Sequence, residues 1–172
     1  MIAPGATAGE PDVTRLREAI GRVEDPEIPI RLTDLGVLRA VTVDHGRVLV
    51  TLRTTRMACP GRQRMEHDIR AAVAAVADDL DLEIVWDTAP WRSSDVSEAG
   101  RQALRDFGYA ILTRAAPVCP YCGTGDPRAE GSCGGSPCKV PFTCRHCGSP
   151  FDAVAGSLGA RQATPVEFSS LR

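Results

Sequence analysis

The sequence lacks the features that mark several large classes of protein. No run of apolar residues approaches the roughly 20 that a membrane-spanning helix needs, although apolar residues make up 43% of the chain. Lysine and arginine total 20 against 22 acidic residues, so there is no basic excess to bind a nucleic-acid backbone. We therefore expect neither a membrane nor a nucleic acid among the partners of this chain.

Recognisable catalytic motifs are also missing. The chain has no phosphate-binding glycine loop, no dinucleotide-binding glycine pattern and no Glu-x-x-His bundle of the kind that holds two irons. The N-terminal segment MIAPGATAGEPD has neither a basic start nor the apolar stretch of an export signal. We therefore expect a non-enzymatic, cytoplasmic protein. In the reducing cytoplasm, clustered cysteines bind metals or do thiol chemistry more often than they form disulfides.

What the sequence does contain first is an alternation of helical and extended patterns. Apolar residues recur at helical spacing over residues 12–23, and two β-rich runs flank the turn Asp44-His45-Gly46. A second helical pattern follows residue 60, and LEIVWD has the composition of a third strand. The order α-β-β-α-β predicts an α+β fold over residues 12–90, called the first module below, with helices packed on a small sheet.

Six of the seven cysteines lie in the segment CPYCGTGDPRAEGSCGGSPCKVPFTCRHC. Cys119 with Cys122, and Cys144 with Cys147, form two Cys-x-x-Cys pairs separated by 21 residues. Two such tight turns place four thiolates around one tetrahedral zinc ion. Because this segment is poor in core-forming residues, we expect zinc rather than apolar burial to hold it together.

The spacing therefore predicts a zinc-ribbon module, called the ribbon below, after the first module. The predicted boundaries are a flexible tail (1–11), the first module (12–90), a linker with a short helix (91–115), the ribbon (116–155) and a C-terminal tail (156–172).

Cys133 and Cys138 are in excess of a four-thiolate zinc site. Together they are consistent with a second pair of metal ligands, a redox pair, ligands of an iron–sulfur cluster or thiols without a role. Their spacing does not decide among these alternatives, and Cys133 is the weaker candidate.

The seventh cysteine, Cys59, stands alone before Pro60, a residue favoured in the first turn of a helix. A helix N-terminus favours the thiolate form, and Arg56, Arg62 and Arg64 add positive charge nearby. The pattern predicts a lowered pKa and a reactive thiol at Cys59. The alternative is a buried, inert cysteine.

Three carboxylates crowd the loop DPEIPIRLTDLG, namely Asp25, Glu27 and Asp34. One interpretation is a helix stop followed by a turn, in which Asp34 caps local amides. The other is a carboxylate cluster that faces Cys59 and forms a pocket of oxygen and sulfur ligands for a metal.

The segments DPEIPIRLTDLGVL and TTRMACPG, with a hairpin between them, resemble the SufT-like domain family over about residues 12–90. The later segments APWRSSDVSEAGRQALRDFGYA, GGSPCK and SPFDAV, in order with the Cys-x-x-Cys pairs, extend the similarity to about residue 154. This whole order resembles the PaaD (also called PaaJ) family, small accessory subunits of bacterial phenylacetyl-CoA 1,2-epoxidase systems.

The resemblance implies a role in aerobic phenylacetate degradation. PaaD-like proteins are thought to mature or repair the iron–sulfur or iron centres of the epoxidase, a multicomponent monooxygenase. The implied partners are the epoxidase subunits, especially the reductase with its flavin and 2Fe–2S cluster, and general iron–sulfur assembly proteins. The alternative is a zinc-ribbon scaffold that only holds the epoxidase complex together.

The same resemblance assigns roles to individual residues. Cys59 is implied to be the reactive thiol that handles iron or a cluster transiently, in a site shaped by Asp25, Glu27 and Asp34. The structural zinc ligands are Cys119, Cys122, Cys144 and Cys147. Cys138 matches the Cys-Lys pair of the family and becomes a candidate additional ligand, whereas Cys133 is interpreted as incidental.

Overall fold

The computed structural model describes residues 12–56, 59–77, 80–113, 115–131 and 134–155. The two predicted tails and Cys133 lie outside the described residues. Among the helices that are described, none is long and apolar enough to cross a membrane.

The first module has the predicted order of elements. These are α1 (Val13–Gly21), β1 (Leu38–Asp44), β2 (Arg47–Leu52), α2 (Arg62–Ala74) and β3 (Asp81–Trp86). β1 and β2 form the predicted antiparallel hairpin, and β3 lies parallel to β2 on its other side. Since a parallel neighbour needs a crossover, α2 connects β2 to β3 and packs on the sheet. The α+β prediction is confirmed.

Apolar burial stabilises the first module. Every second residue of β2 is buried, and each helix buries one face, as an amphipathic pattern requires. The buried side chains of these three elements are Leu16, Ile20, Val48, Val50, Leu52, Met65, Ile69 and Val73. Each contributes about 1.5–3 kcal/mol relative to an exposed position.

The segment between the modules packs on this same core. It contains a short 3-10 helix (Ser93–Asp95), α3 (Glu98–Asp106) and β4 (Tyr109–Ile111). Trp91 at its start is 1% exposed, and its indole Nε1 donates a hydrogen bond to the carbonyl oxygen of Leu35 at 2.7 Å. The segment therefore continues the first core and supplies the first strand of the second sheet.

The ribbon is built on a four-stranded sheet. β5 (Pro127–Ala129), β6 (Lys139–Cys144) and β7 (Pro150–Val154) join β4 in the order β4-β7-β6-β5. β4 runs parallel to β7, and the remaining pairs are antiparallel.

The ribbon has a small apolar core, which its composition did not predict. Alternate residues of β6 and β7 point to one face, so that Val140, Phe142, Phe151 and Ala153 are buried together. The two phenylalanine rings stack with centroids 5.7 Å apart. The expectation that burial contributes little here is therefore wrong in part, because a few well-placed residues suffice for one face of a small sheet.

Candidate metal and thiol sites

Each Cys-x-x-Cys pair lies in a turn of the same backbone geometry. The sequences CPYCGT and CRHCGS both end in glycine and a hydroxyl residue. The amide of Gly123 donates to the carbonyl of Cys119 at 3.0 Å, and that of Gly148 to the carbonyl of Cys144 at 2.9 Å. Both glycines have φ of 75°, which residues with a Cβ rarely adopt. The glycines allow each turn to fold its two sulfurs to the same side.

The four sulfurs form one compact group. All four ligand atoms lie within 4.8 Å of one another. The Sγ atoms of Cys119 and Cys147 are 3.8 Å apart, and those of Cys122 and Cys144 are 3.5 Å apart. Tetrahedral zinc with bonds of about 2.3 Å places its sulfur ligands roughly 3.8 Å apart. The donor set and its spacing therefore fit a zinc ion.

Neighbouring hydroxyls and amides favour the thiolate form at two of these cysteines. The Thr124 hydroxyl lies 3.3 Å from Cys144 Sγ, and it lowers the pKa of Cys144 to about 6 together with backbone amides of that turn. The Ser149 hydroxyl lowers the pKa of Cys147. Burial instead raises the pKa of Cys119 to about 11, so a divalent cation is needed to ionise the whole set.

In the acidic loop, Asp25 is buried with 6% of its surface exposed. Its Oδ1 accepts hydrogen bonds from the amides of Glu27 at 2.8 Å and Ile28 at 3.0 Å, so the side chain closes its own turn. The pKa of the Asp25 carboxyl is raised, with burial as the largest cause, although these two amides lower it. Asp25 therefore both shapes the loop and provides a poorly solvated carboxylate.

This loop packs directly against the turn that carries Cys59. A Cβ placed on Gly61 would lie 2.8 Å from Pro26 Cγ and 3.6 Å from Cys59 Sγ, so glycine permits the close approach. Burial raises the pKa of the Cys59 thiol most, and the charges of Asp25 and Glu27 also raise it. Asp25 and Glu27 flank Pro26, so both belong to the part of the loop that packs against this turn.

The predicted lowering of the pKa of Cys59 is wrong, since its pKa is raised. Burial is the largest cause, and the amide of Gly61 opposes it too weakly. The reason is that α2 begins at Arg62, with Gly61 as its N-cap, so Cys59 precedes the helix instead of lying in its first turn.

The arginines near Cys59 have other partners or orientations. Arg62 lies over the Trp86 ring at 4.4 Å, and Arg64 forms an ion pair with Asp68 at 2.7 Å. Arg56 buries its Nε and one terminal nitrogen, and neither has a hydrogen-bond partner among the residues that the structure describes. None of the three arginines is a leading cause of the pKa of Cys59.

Asp34 connects its loop to α3. Its Oδ1 accepts a hydrogen bond from the Ser97 hydroxyl at 2.7 Å, and its carbonyl accepts one from the Ser97 amide at 2.9 Å. Ser97 in turn caps α3 by accepting from the amide of Gly100 at 2.9 Å. The contacts of Asp34 therefore position the segment between the modules.

Cys138 belongs to the ribbon but lies in the core of the first module. It is 5% exposed, and its Sγ is 3.1 Å from the hydroxyl of Ser136. Cys59 packs against the same core, and the charge of Cys138 raises the pKa of Cys59. Sequence reasoning gave no position for Cys138 relative to Cys59, because the docking of two modules is not encoded in local spacing.

Comparison with known proteins places both modules in known families. The family described as iron-sulfur cluster assembly protein matches residues 14–84, and the PaaD zinc beta ribbon domain matches residues 110–155. The Fe-S protein maturation auxiliary factor SufT of Staphylococcus aureus (strain USA300) is 31% identical over 85 residues, which are 48% of this chain and 96% of that protein. The chain belongs to the iron–sulfur cluster assembly family.

The similarity continues through the ribbon. An Escherichia coli (strain K12) protein, named as a candidate subunit of 1,2-phenylacetyl-CoA epoxidase, is 28% identical over 161 residues, covering 86% of this chain and 94% of that protein. The match to the zinc beta ribbon domain, with the sulfur geometry, supports a structural zinc site at the four cysteines.

A solved structure shares the fold of the first module. The crystal structure of a domain of unknown function, DUF59, from Bacillus anthracis aligns with a TM-score of 0.50 at 22% identity, covering 54% of this chain and 90% of that chain. The first module therefore has the fold of that domain, and the ribbon follows it along the chain.

Proposed function

We propose that this chain matures or repairs the iron–sulfur or iron centres of a phenylacetyl-CoA 1,2-epoxidase. The observation that carries the proposal is the joining of two modules in one chain. The first module is similar to a maturation factor over nearly the whole of that factor, and the two together are similar to an epoxidase subunit over 94% of its length.

In this proposal, Cys59 holds iron or a cluster transiently. A thiolate is the ligand that iron–sulfur clusters use most, and the carboxylates of Asp25 and Glu27 supply negative charge beside it. Burial favours the protonated thiol when no metal is bound, so metal and proton replace each other at the sulfur. Such an exchange suits a protein that passes metal on.

The ribbon zinc serves the fold and not the transfer. Four thiolates fill a tetrahedral zinc ion and leave no position open for exchange. The ribbon instead fixes the strand β6 whose first residue, Lys139, follows Cys138.

The chain itself acts as a non-catalytic accessory protein. Its client is the reductase that carries flavin and a 2Fe–2S cluster, and general iron–sulfur assembly proteins supply the metal.

The test is the cluster content of the client. The reductase is produced with the wild-type chain, with Cys59→Ser, or with Gln63→Ala as an exposed control from the first turn of α2. We expect Cys59→Ser to leave most of the reductase without a cluster, measured as iron and acid-labile sulfide per flavin, and Gln63→Ala to behave as wild type. Full cluster content with Cys59→Ser would contradict the proposal.

A scaffold role is the second candidate, and one surface feature favours it. The large apolar side chains of Phe107, Val118 and Tyr121 are 57%, 56% and 60% exposed, and grouped apolar side chains at a surface can contact a partner protein. A scaffold predicts stable co-purification with epoxidase subunits that Tyr121→Ala weakens and that Cys59→Ser leaves intact. The same co-production experiment therefore separates the two roles.

A further inference from the structure

The second sheet ends in an edge strand. Among the described residues, β7 is the only strand that pairs with β4. The amide of Leu112 donates to the carbonyl of Val154 in β7 at 2.9 Å, so Ala110 and Leu112 direct their backbone groups to β7. Because these groups alternate between the two sides of a strand, those of Tyr109 and Ile111 point away from β7. This edge of β4 is thus open to a further strand.

A cleft lies along β4, between α3 and the start of the ribbon. All three residues of β4 line it, together with one face of α3 and the chain over residues 115–120. Most of the lining side chains are apolar, among them Leu104, Ile111 and Val118. Its volume of about 420 Å³ falls within the range of roughly 300–1,000 Å³ typical of ligand sites. We call it the edge cleft.

Exposed apolar side chains lie at the edge cleft and beside it. Val118, which lines the cleft, is itself more than half exposed. A Cβ placed on Gly108 would lie 2.5 Å from the phenol oxygen of Tyr121, so glycine lets the first Cys-x-x-Cys turn pack on the turn between α3 and β4. Phe107 directly precedes Gly108, so both exposed aromatic residues lie at that turn. Apolar side chains collected in this way are typical of a protein-binding surface.

The charge of the edge cleft is positive. Among the described residues that line it, the charged ones are Arg101 and Arg105. Arg101 donates to the carbonyl of Ser93 at 2.6 Å, which holds its guanidinium in place. Arg105 lies 3.6 Å from the exposed carboxylate of Glu98. Exposed pairs of this kind contribute little, so Arg105 can exchange Glu98 for the carboxylate of a ligand.

We propose that the edge cleft binds an extended segment of a partner protein, which adds as a fifth strand beside β4 and places carboxylates at Arg101 and Arg105. Tyr109 and Ile111 supply the backbone hydrogen bonds, and the apolar lining receives alternate side chains of the segment. This docking site goes beyond the metal transfer proposed for Cys59, because neither Cys59 nor the acidic loop lines the edge cleft.

The open edge and its charge favour such a segment over other occupants. A helix uses its backbone groups internally and offers few to the edge of β4. A second copy of this chain, paired symmetrically through β4, would bring Arg101 and Arg105 of both copies to one interface. Like charges brought together in this way oppose association. An acidic, extended segment meets neither obstacle.

The experiment is a nuclear magnetic resonance titration of the full-length, zinc-loaded chain labelled with nitrogen-15. The probe is the synthetic peptide acetyl-Glu-Val-Tyr-Val-Glu-amide, and a control peptide has lysine in place of both glutamates. Two further probes carry N-methyl groups, one on both valine nitrogens and the other on the tyrosine nitrogen. Because alternate amides of a bound strand face β4, one of these two methylations blocks pairing and the other leaves it intact.

We expect saturable shifts of the amide signals of Tyr109 and Ile111. The glutamate peptide should bind about fivefold more tightly than the lysine peptide, as two exposed charge pairs require. One N-methylated probe should bind about tenfold more weakly than the parent peptide, and the other should bind as the parent does.

Two variants test the charge of the edge cleft. Arg105→Ala should reduce the preference for the glutamate peptide to about twofold, since Arg101 remains. The matched control is Arg47→Ala in the hairpin of the first module, where Arg47 is exposed and pairs with Glu83 at 3.0 Å. This control should leave the preference at its wild-type value.

Three results would overturn the proposal. Equal affinities of the two N-methylated probes would exclude pairing with β4, and equal affinities of the glutamate and lysine peptides would exclude the role of the arginines. The third is that no peptide shifts the amides of Tyr109 and Ile111. A dimer in sedimentation velocity that protects these two amides from hydrogen exchange would then assign the edge to a second copy.

Discussion

Two cysteines of the ribbon, Cys144 and Cys147, differ from Cys59 and Cys138 in the direction in which their pKa values are shifted. In the ribbon, the hydroxyls of Thr124 and Ser149 point at sulfurs and lower the pKa of Cys144 and Cys147. Burial instead raises the pKa of the Cys59 thiol and of the Cys138 thiol. Lowered pKa values at Cys144 and Cys147 suit a site that retains its metal, whereas a protonated thiol at Cys59 suits the metal exchange that we propose for it.

The largest effect is expected where the contrast is sharpest, at the zinc ligands. Cys144→Ser removes one of four thiolates and should reduce zinc from one ion per chain to none, because three thiolates and a hydroxyl do not retain it against a chelator. The ribbon should then lose its ordered strands, measured by elemental analysis and by proteolysis between residues 116 and 155. Cys59→Ser is the matched control, and a zinc loss there would erase the contrast between the two regions.

The second largest effect is expected in the core of the first module, which contains Trp91 and Cys138 and against which Cys59 packs. Trp91→Ala removes a fully buried indole and its hydrogen bond to Leu35, so we expect a loss of about 3–5 kcal/mol in the free energy of unfolding. The measurement is urea unfolding of the zinc-loaded chain. Trp86→Ala, at the partly exposed end of β3, should lower the free energy of unfolding by less than Trp91→Ala does. A larger loss for Trp86→Ala would contradict a central place for Trp91 in the core.

The alkylation rate of Cys59 reports how the charge of Asp25 affects this thiol. Asp25→Asn removes a charge that raises the pKa of Cys59 but keeps an oxygen that accepts the amides of Glu27 and Ile28. The alkylation rate of Cys59 at pH 8 should rise, because a lower pKa increases the fraction of the thiol that is ionised. An unchanged rate would show that Asp25 does not act on Cys59.

The stability of the same variant depends on pH in a defined direction. The folded state raises the pKa of Asp25 above 3.8, so the ionised carboxylate destabilises the fold as pH rises through the folded pKa. Asp25→Asn should therefore be at least as stable as wild type at pH 7, with the difference vanishing below about pH 3.8. Asp25→Ala, which loses both amide hydrogen bonds, should instead be less stable by about 1–3 kcal/mol.

The smallest effect is expected at a residue that contacts the zinc ligands without binding zinc. Thr124→Val keeps the shape of the side chain but removes the hydroxyl 3.2 Å from Cys122 Sγ and 3.3 Å from Cys144 Sγ. Zinc affinity, measured by competition with a chelator, should fall about tenfold. A fall as large as that of Cys144→Ser would mean that the hydroxyl is needed for the fold of the turn itself.

Patterns within short stretches of sequence predicted the features that depend on neighbouring residues. The order of elements in the first module follows from hydrophobic periodicity, and the zinc ligands follow from two Cys-x-x-Cys spacings. The small ribbon core was missed because Val140, Phe142, Phe151 and Ala153 form it by alternation across two short strands.

The thiol chemistry could not be predicted, because it depends on contacts between distant residues. The sign of the pKa shift at Cys59 is set by burial and by the acidic loop, not by the proline that follows it. Asp34 accepts a hydrogen bond from Ser97, which is 63 residues away in the sequence. Cys138 lies in the core of the first module because the ribbon packs against that module. None of these contacts has a signature in local spacing.

The most direct test is the metal content of the anaerobically purified chain after addition of ferrous iron. It compares wild type, Cys59→Ser and Cys144→Ser, with zinc and iron measured per chain. We expect the wild type to hold one zinc and to retain iron. Cys59→Ser should hold one zinc but lose the iron, and Cys144→Ser should lose the zinc. A wild type that holds one zinc and no iron, or iron that is equal in Cys59→Ser, would contradict a metal-handling role for Cys59.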